Sequence, residues 1–280
     1  MTYGIPQNPA AIIAGAKATP ALMAEIDKAL GFNRPLIVRY GLYLWNLLHG
    51  SLGYSFSMHE AVGPMVARAV VPTLVLTVFA VVMELILGFG FGLLSDWLRS
   101  GIGDAVLRIS TVTFLSLPAY WLGVVCLSVV AFRLGWFPLG GYSFAGAILP
   151  AFAVALPGSA YYARLLRSSL QQVWMEDYAR TALAKGVSPA RVLIRHVLRN
   201  ALLTIVTYFG LDLANLLSGL IIIEVIFDWP GLGSLTNQAI GNLDGSVIMA
   251  VTLVAACAVI MANFLTDVLY LWVDPRISYA

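Results

Sequence analysis

Residues 71–94 read VPTLVLTVFAVVMELILGFGFGLL, an apolar run interrupted by a single ionisable group, Glu84. About 20 mostly apolar residues in a helix cross the hydrocarbon core of a bilayer, where each backbone polar group has to be satisfied within its own segment. Four further stretches have the same character: residues 109–132, 145–163, 201–227 and 246–273. The predicted fold class is all-α, a polytopic membrane protein with five transmembrane helices over residues 71–280. An extracytoplasmic helical segment, residues 1–70, precedes them.

Composition agrees with this reading. Apolar residues make up 60% of the 280 positions and charged ones 11%, against about 25% charged in a soluble domain. Sixteen Lys and Arg against fourteen Asp and Glu leave a net charge of +2, so nothing points to nucleic acid as a partner. Cys126 and Cys257 sit in separate apolar runs. They are too few for a disulfide framework and read as small core- or lipid-facing side chains. There is no Gly-x-x-x-x-Gly-Lys-[Ser/Thr] loop, no Gly-x-Ser-x-Gly and no His-Glu-x-x-His. His49, His59 and His196 have no second ligand at metal-binding spacing. No catalytic residue, metal or cofactor is expected, and any ATP hydrolysis belongs to a partner.

Short loops rich in Lys and Arg stay cytoplasmic. Arg99 and Arg108 lie between the first two spans, and Arg276 lies in the tail. Between the third and fourth spans lie Arg164, Arg167, Arg180, Lys185, Arg191, Arg195 and Arg199. The alternate loops are poor, with Arg133 alone in one and only Asp228 and Asp244 in residues 228–245. This distribution predicts a C-terminus inside and an N-terminus outside. In the outer segment, Thr19-Pro20 supplies a cap and a first-turn proline, and Gly31 a stop, for one short helix. A second is expected from Pro35 to about Leu48. A cap with no binding role and a docking surface for a partner both fit. Met1 to Gly4 is too short to start export of this segment, so a further apolar helix of about 20 residues is expected ahead of it.

The longest basic loop is 171–200. Residues 177–185 are good helix formers, Gly186 stops them, and Ser188-Pro189 opens a second short helix to about Arg199. Arg191, Arg195 and Arg199 share a face by their spacing of four. Such a pair fits a peg for another protein, and equally an interfacial helix pair held by lipid headgroups.

A resemblance bears on that choice. Asp-Tyr-Ala-Arg-Thr-Ala-Leu-Ala-Lys-Gly (177–186), Arg-His-Val-Leu-Arg-Asn (195–200), Phe-Asp-Trp-Pro-Gly-Leu-Gly (227–233) and Asp-Pro-Arg-Ile (274–277) occur in this order. Together with Leu-Gly-Phe-Asn-Arg-Pro-Leu (30–36) and Gly-Ser-Leu-Gly-Tyr-Ser (50–55), they resemble the inner-membrane permease subunits of bacterial ABC importers, in the dipeptide/oligopeptide/nickel group. The resemblance implies that residues 177–199 are coupling helices docking in a groove of a cytoplasmic ATPase. Asp177, Tyr178, Arg180, Thr181, Ala182, Lys185, Gly186 and His196 would belong to that contact. Arg180 stands where the general motif has Glu. Relatives also begin with one more membrane helix, giving six spans. The implied partners are a homologous permease forming a heterodimer, ABC ATPase subunits, an extracytoplasmic solute-binding protein and membrane lipid.

Ionisable groups at membrane depth mark a path or a partner. Glu84 and Asp212 are expected at a subunit interface or aqueous cavity, with Asn215 and Asn263 as polar companions. Glu224 and Asp267 lie near span ends and are expected to reach water. Gly88, Gly90 and Gly92 allow close helix approach. Trp229, Pro230, Gly231 and Gly233 suit a tight re-entrant turn near the outer mouth, or an ordinary turn anchored by Trp229 at the headgroups. The resulting reading is a multi-pass permease subunit of an ATP-driven importer in a bacterial inner membrane, with its cargo (peptide, nickel, glutathione or a sugar derivative) left open. An ion-coupled secondary transporter is the alternative. It needs a midplane ion site on a broken helix, often with inverted repeats, and no repeat is visible.

Overall fold

A computed structural model describes residues 19–30, 34–98 and 101–273. Gly31 and the 274–277 motif lie outside the described residues. Helix α1 (Pro20–Leu30) begins on its proline, and α2 (Leu36–Leu48) follows Pro35, whose backbone is extended at φ −53° and ψ 144°. A two-rung antiparallel ladder, β1 (Tyr54–Ser55) with β2 (Glu60–Ala61), pairs Tyr54 with Ala61 and Ser55 with Glu60. Helix α3 (Val62–Leu98) is apolar on all sides. At about 1.5 Å per residue it is about 55 Å long, more than a hydrocarbon core requires.

The second expected span is not one straight helix. It is α4 (Ile102–Ser116) and α5 (Ala119–Val125), bent by 97°. Pro118 has no N–H to give and biases the residue before it away from helix. Leu117 is accordingly extended, at φ −83° and ψ 124°. Beyond α5 the chain continues in π-helical geometry through Cys126–Arg133.

Helix α6 (Phe144–Trp174) is capped by Ser143, whose Oγ accepts from Gly146 N at 3.0 Å. It runs well past residue 163 and absorbs residues 171–174, which charge alone had placed in the loop. Helix α7 (Asp177–Ala184) follows. The second short helix expected in the loop is not separate. Helix α8 (Pro189–Val192), a π turn (Leu193–Val197) and α9 (Leu198–Ile226) form one continuous helical run. Arg191, Arg195 and Arg199 are exposed on it. Charge marks where a helix leaves the apolar layer, not where its hydrogen bonding stops. Helices α10 (Leu232–Gly241) and α11 (Gly245–Val273) complete the described residues. Among the described residues, four helical stretches, 62–98, 144–174, 189–213 and 245–268, are long and apolar enough to cross a membrane, or five if the bent pair that begins at α4 is counted as one span.

The chain forms two compact units, residues 1–73 with 230–256, and residues 74–229 with 257–280. In the first, Val62, Met65 and Val66 pack against Ala239, Val247, Ala250 and Val251. Ser55 and Ser57 both donate to Asp244 Oδ2, at 2.5 and 2.7 Å, while Asp244 Oδ1 accepts from Val247 N at the start of α11. Thr73 Oγ1 accepts from Leu232 N at 2.8 Å, satisfying a free donor in the first turn of α10. The second unit holds two cores. One gathers Leu76, Leu122, Leu220, Phe227 and Trp229, and the other gathers Tyr162, Leu166, Leu170, Val192 and Val197.

Candidate functional site

The α6–α7–α8 turn is built from local rules. Helix α7 is amphipathic: Ala179 is fully buried and Ala182 half-buried against the Leu166–Val197 core, whereas Asp177, Tyr178, Arg180, Thr181 and Lys185 are exposed. Its end is a Schellman motif, with Gly186 N donating to Leu183 O at 2.9 Å and Val187 N to Ala182 O at 3.2 Å. Gly186 has φ +81°, and a Cβ there would meet nothing within 4 Å. Conformation, not space, demands glycine at this position. Val187 and Ala182 join the same core, so the hydrophobic contact that accompanies such motifs is present. Of the residues assigned to a partner contact, Ala182 faces this chain's own core and His196 is half-buried. The others are exposed, and the Tyr178 side chain hydrogen-bonds Asn200.

At membrane depth α3, α6 and α9 bring four polar side chains together. Glu84 is 2% and Asp212 7% exposed. Tyr162 OH donates to Asp212 Oδ2 at 2.9 Å, and Tyr208 meets the Tyr162 ring edge-on at 5.0 Å. Tyr208 stacks on Tyr161 with ring centroids 4.2 Å apart. The Glu84 carboxyl lies within hydrogen-bonding reach of Asp212, yet its Oε2 is buried and accepts no hydrogen bond. It lies against Gly158, where an added Cβ would collide with the carboxyl group. Glu84 and Asp212 are thus buried among this chain's own helices.

Glu224, expected to reach water, is fully buried, while Asn215, Asn263 and Asp267 are exposed. Gly88 and Gly92 do serve close packing, since a Cβ at either would strike Tyr162 or Leu166, whereas Gly90 faces open space. Trp229 is not a headgroup anchor: it is 1% exposed and packs edge-on against Tyr142 at 5.1 Å. The turn before it is carried by Asp228, at φ +48°, while Gly231 has φ −100°. The chain then enters helix α10, so the expected tight turn is a turn followed by ten helical residues.

A second polar cluster was not foreseen. Arg167 donates to both oxygens of Asp104, at 2.5 and 3.1 Å, and to Ser95 Oγ at 2.5 Å, joining α3, α4 and α6. Arg108 Nε lies 3.4 Å from the same carboxylate. The signal was an acid, Asp104, one turn before Arg108, but it names no third partner 63 residues away.

Residues 85–279 match the family described as binding-protein-dependent transport system inner membrane component, and residues 1–77 match the family described as the N-terminal part of such components. The probable peptide ABC transporter permease protein y4tP of Sinorhizobium fredii is 34% identical, over 98% of this chain and 90% of that protein. The dipeptide transport system permease protein DppB of Alkalihalophilus pseudofirmus is also 34% identical, over 98% and 91%. The glutathione transport system permease protein GsiC of Salmonella typhimurium is 36% identical, over 98% and 90%. Among solved structures, an inward-facing MetNI methionine ABC transporter matches with a TM-score of 0.65 at 18% identity, covering 75% of this chain and 96% of that one. An amino acid ABC transporter matches with a TM-score of 0.59 at 16% identity, covering 74% and 93%. The ion-coupled alternative finds no support among these matches.

Proposed function

We propose, for a chain that belongs to the family of binding-protein-dependent transport system inner membrane components, that its cargo is a short peptide or peptide-like solute and that its α7 turn receives the stroke of an ATPase. The chain is a membrane-spanning permease subunit of an ABC importer. Its partners are an ABC ATPase and a solute-binding protein. We further assign it a homologous permease as heterodimer partner, a cytoplasmic α7 and C-terminus, and an outer segment 228–245. The peptide assignment rests on the relatives, whose names read peptide, dipeptide and glutathione transport.

The observation that carries the coupling role is the Schellman turn at Gly186 together with the packing of α7 on the ends of two long helices. Ala179 and Ala182 leave no soft layer between α7 and the core around Leu166 and Val197. A push on the exposed face, at Asp177, Tyr178, Arg180, Thr181 and Lys185, is therefore passed to α6 and to the α8–α9 run together. Those same helices meet again at the Tyr162–Asp212 hydrogen bond, so the two move as one lever on α3.

The test is reconstitution of the complete importer with its ATPases and binding protein. Gly186→Val places a β-branched residue at positive φ, a strained conformation costing about 1–2 kcal/mol. ATP hydrolysis is expected to continue while uptake of a labelled dipeptide or tripeptide is lost. Full coupled uptake by this variant would refute the coupling role. Uptake of nickel, and of no peptide or peptide-like solute, would overturn the cargo assignment alone.

A further inference from the structure

A groove of about 280 Å³ opens between α3, α4 and α6. Its walls combine Phe91, Leu107 and Val112 with Arg108, Arg164 and Arg167. The three guanidiniums are not equivalent. Arg167 is 16% exposed at its side chain and held by Asp104 and Ser95. Arg108 touches Asp104 only through Nε at 3.4 Å, and its side chain is 63% exposed. Arg164 is exposed and makes no ion pair with any described residue. Three cations thus face one carboxylate, so a positive excess remains in a groove whose other wall is apolar.

Cations at the edge of a bilayer are costly unless a counter-charge accompanies them, and basic pockets between spanning helices select acidic headgroups. An occupant has to carry a negative group for Arg108 and Arg164 and an apolar chain for Phe91, Leu107 and Val112. A soluble anion meets only the first demand, and a zwitterionic lipid brings its own cation to the arginines. The cavity is sized for a headgroup, with acyl chains leaving along the exposed Val112 side. We infer that this groove binds an anionic phospholipid, its phosphate held by Arg108 and Arg164 and its position fixed by the Arg167–Asp104 pair. This depends on the chain spanning the membrane and not on the coupling role, the cargo or the sidedness proposed above.

The probe is phosphatidylglycerol. The purified importer is equilibrated in mixed micelles of phosphatidylglycerol and phosphatidylcholine, and lipid retained on the permease is read by native mass spectrometry. Wild type is expected to retain phosphatidylglycerol in preference. Arg164→Gln breaks no ion pair with a described residue, so the fold is expected to be kept, and about fivefold weaker retention is expected. Arg108→Gln combined with it should lower retention further, whereas Arg164→Lys should restore most of it and Arg133→Gln should change nothing. A thermal melt in about 10 mM inorganic phosphate serves as the second arm. Equal retention of the two lipids, unchanged retention by Arg164→Gln, or stabilisation by phosphate without phosphatidylglycerol preference would each overturn the assignment.

Discussion

Glu84 and Gly158 define each other. A carboxyl side chain at membrane depth with an unsatisfied Oε2 is an expensive group, and the neighbouring helix makes room for it by lacking a Cβ. Gly158→Ala is therefore expected to overpack this contact, costing about 1–3 kcal/mol. A thermal melt of the solubilised protein should show a lower midpoint. Glu84→Gln keeps the shape and offers Asp212 an N–H donor, so its midpoint should match or exceed that of wild type. Tyr162→Phe removes the donor to Asp212 Oδ2 and is expected to cost about 1–3 kcal/mol, the range for leaving a buried acceptor without its partner. If Gly158→Ala melts with wild type, the close approach at this position carries no weight. Glu84 and Asp212 were legible in the sequence as intramembrane acids. Their tyrosine partners were not, because Tyr162 and Tyr208 each read as ordinary aromatic residues within apolar runs, and only the packing of α6 on α9 makes them a set.

At the scale of elements, α3 and α11 were plain from hydropathy, and the bend between α4 and α5 was hidden by it. A window of about 20 residues averages over Leu117-Pro118 and returns a single span, although the pre-proline restriction at Leu117 is a local fact of sequence. Pro118→Ala lifts that restriction. Spin labels at Val106 and Val129, both exposed, should then move apart toward about 35 Å, the length of unbroken helix over that separation. An unchanged distance would mean that surrounding packing, not proline, holds the bend of 97°. The α8–α9 junction is the converse case. Charge counting closed a loop near Asn200, while the backbone hydrogen bonding runs straight through it, because arginines are good helix formers on either side of a membrane surface.

For the whole molecule, the five apolar segments and their order were readable, and the division into two units was not, since residues 230–256 join residues 1–73 across the sequence. Sidedness is open to direct measurement. In a background lacking Cys126 and Cys257, Asn237→Cys, exposed on α10, should react with an impermeant thiol reagent applied to intact cells. Lys185→Cys, exposed beside Gly186, should react only in inverted vesicles. The opposite pattern would invert the topology proposed for the chain.

The bond from Ser55 to Asp244 spans 189 positions of sequence. During synthesis, at about 5–20 residues per second, Ser55 leaves the ribosome on the order of ten seconds or more before the aspartate that it meets. Until then Val62, Met65 and Val66 have no Val247, Ala250 or Val251 to cover them, and both serine hydroxyls wait without their acceptor. The nascent chain must pass through that interval with its earliest unit half made, which gives a membrane chaperone or protease a defined period in which to act on it. Helix α11 ends this exposure, and a chain terminated before residue 244 would never leave it.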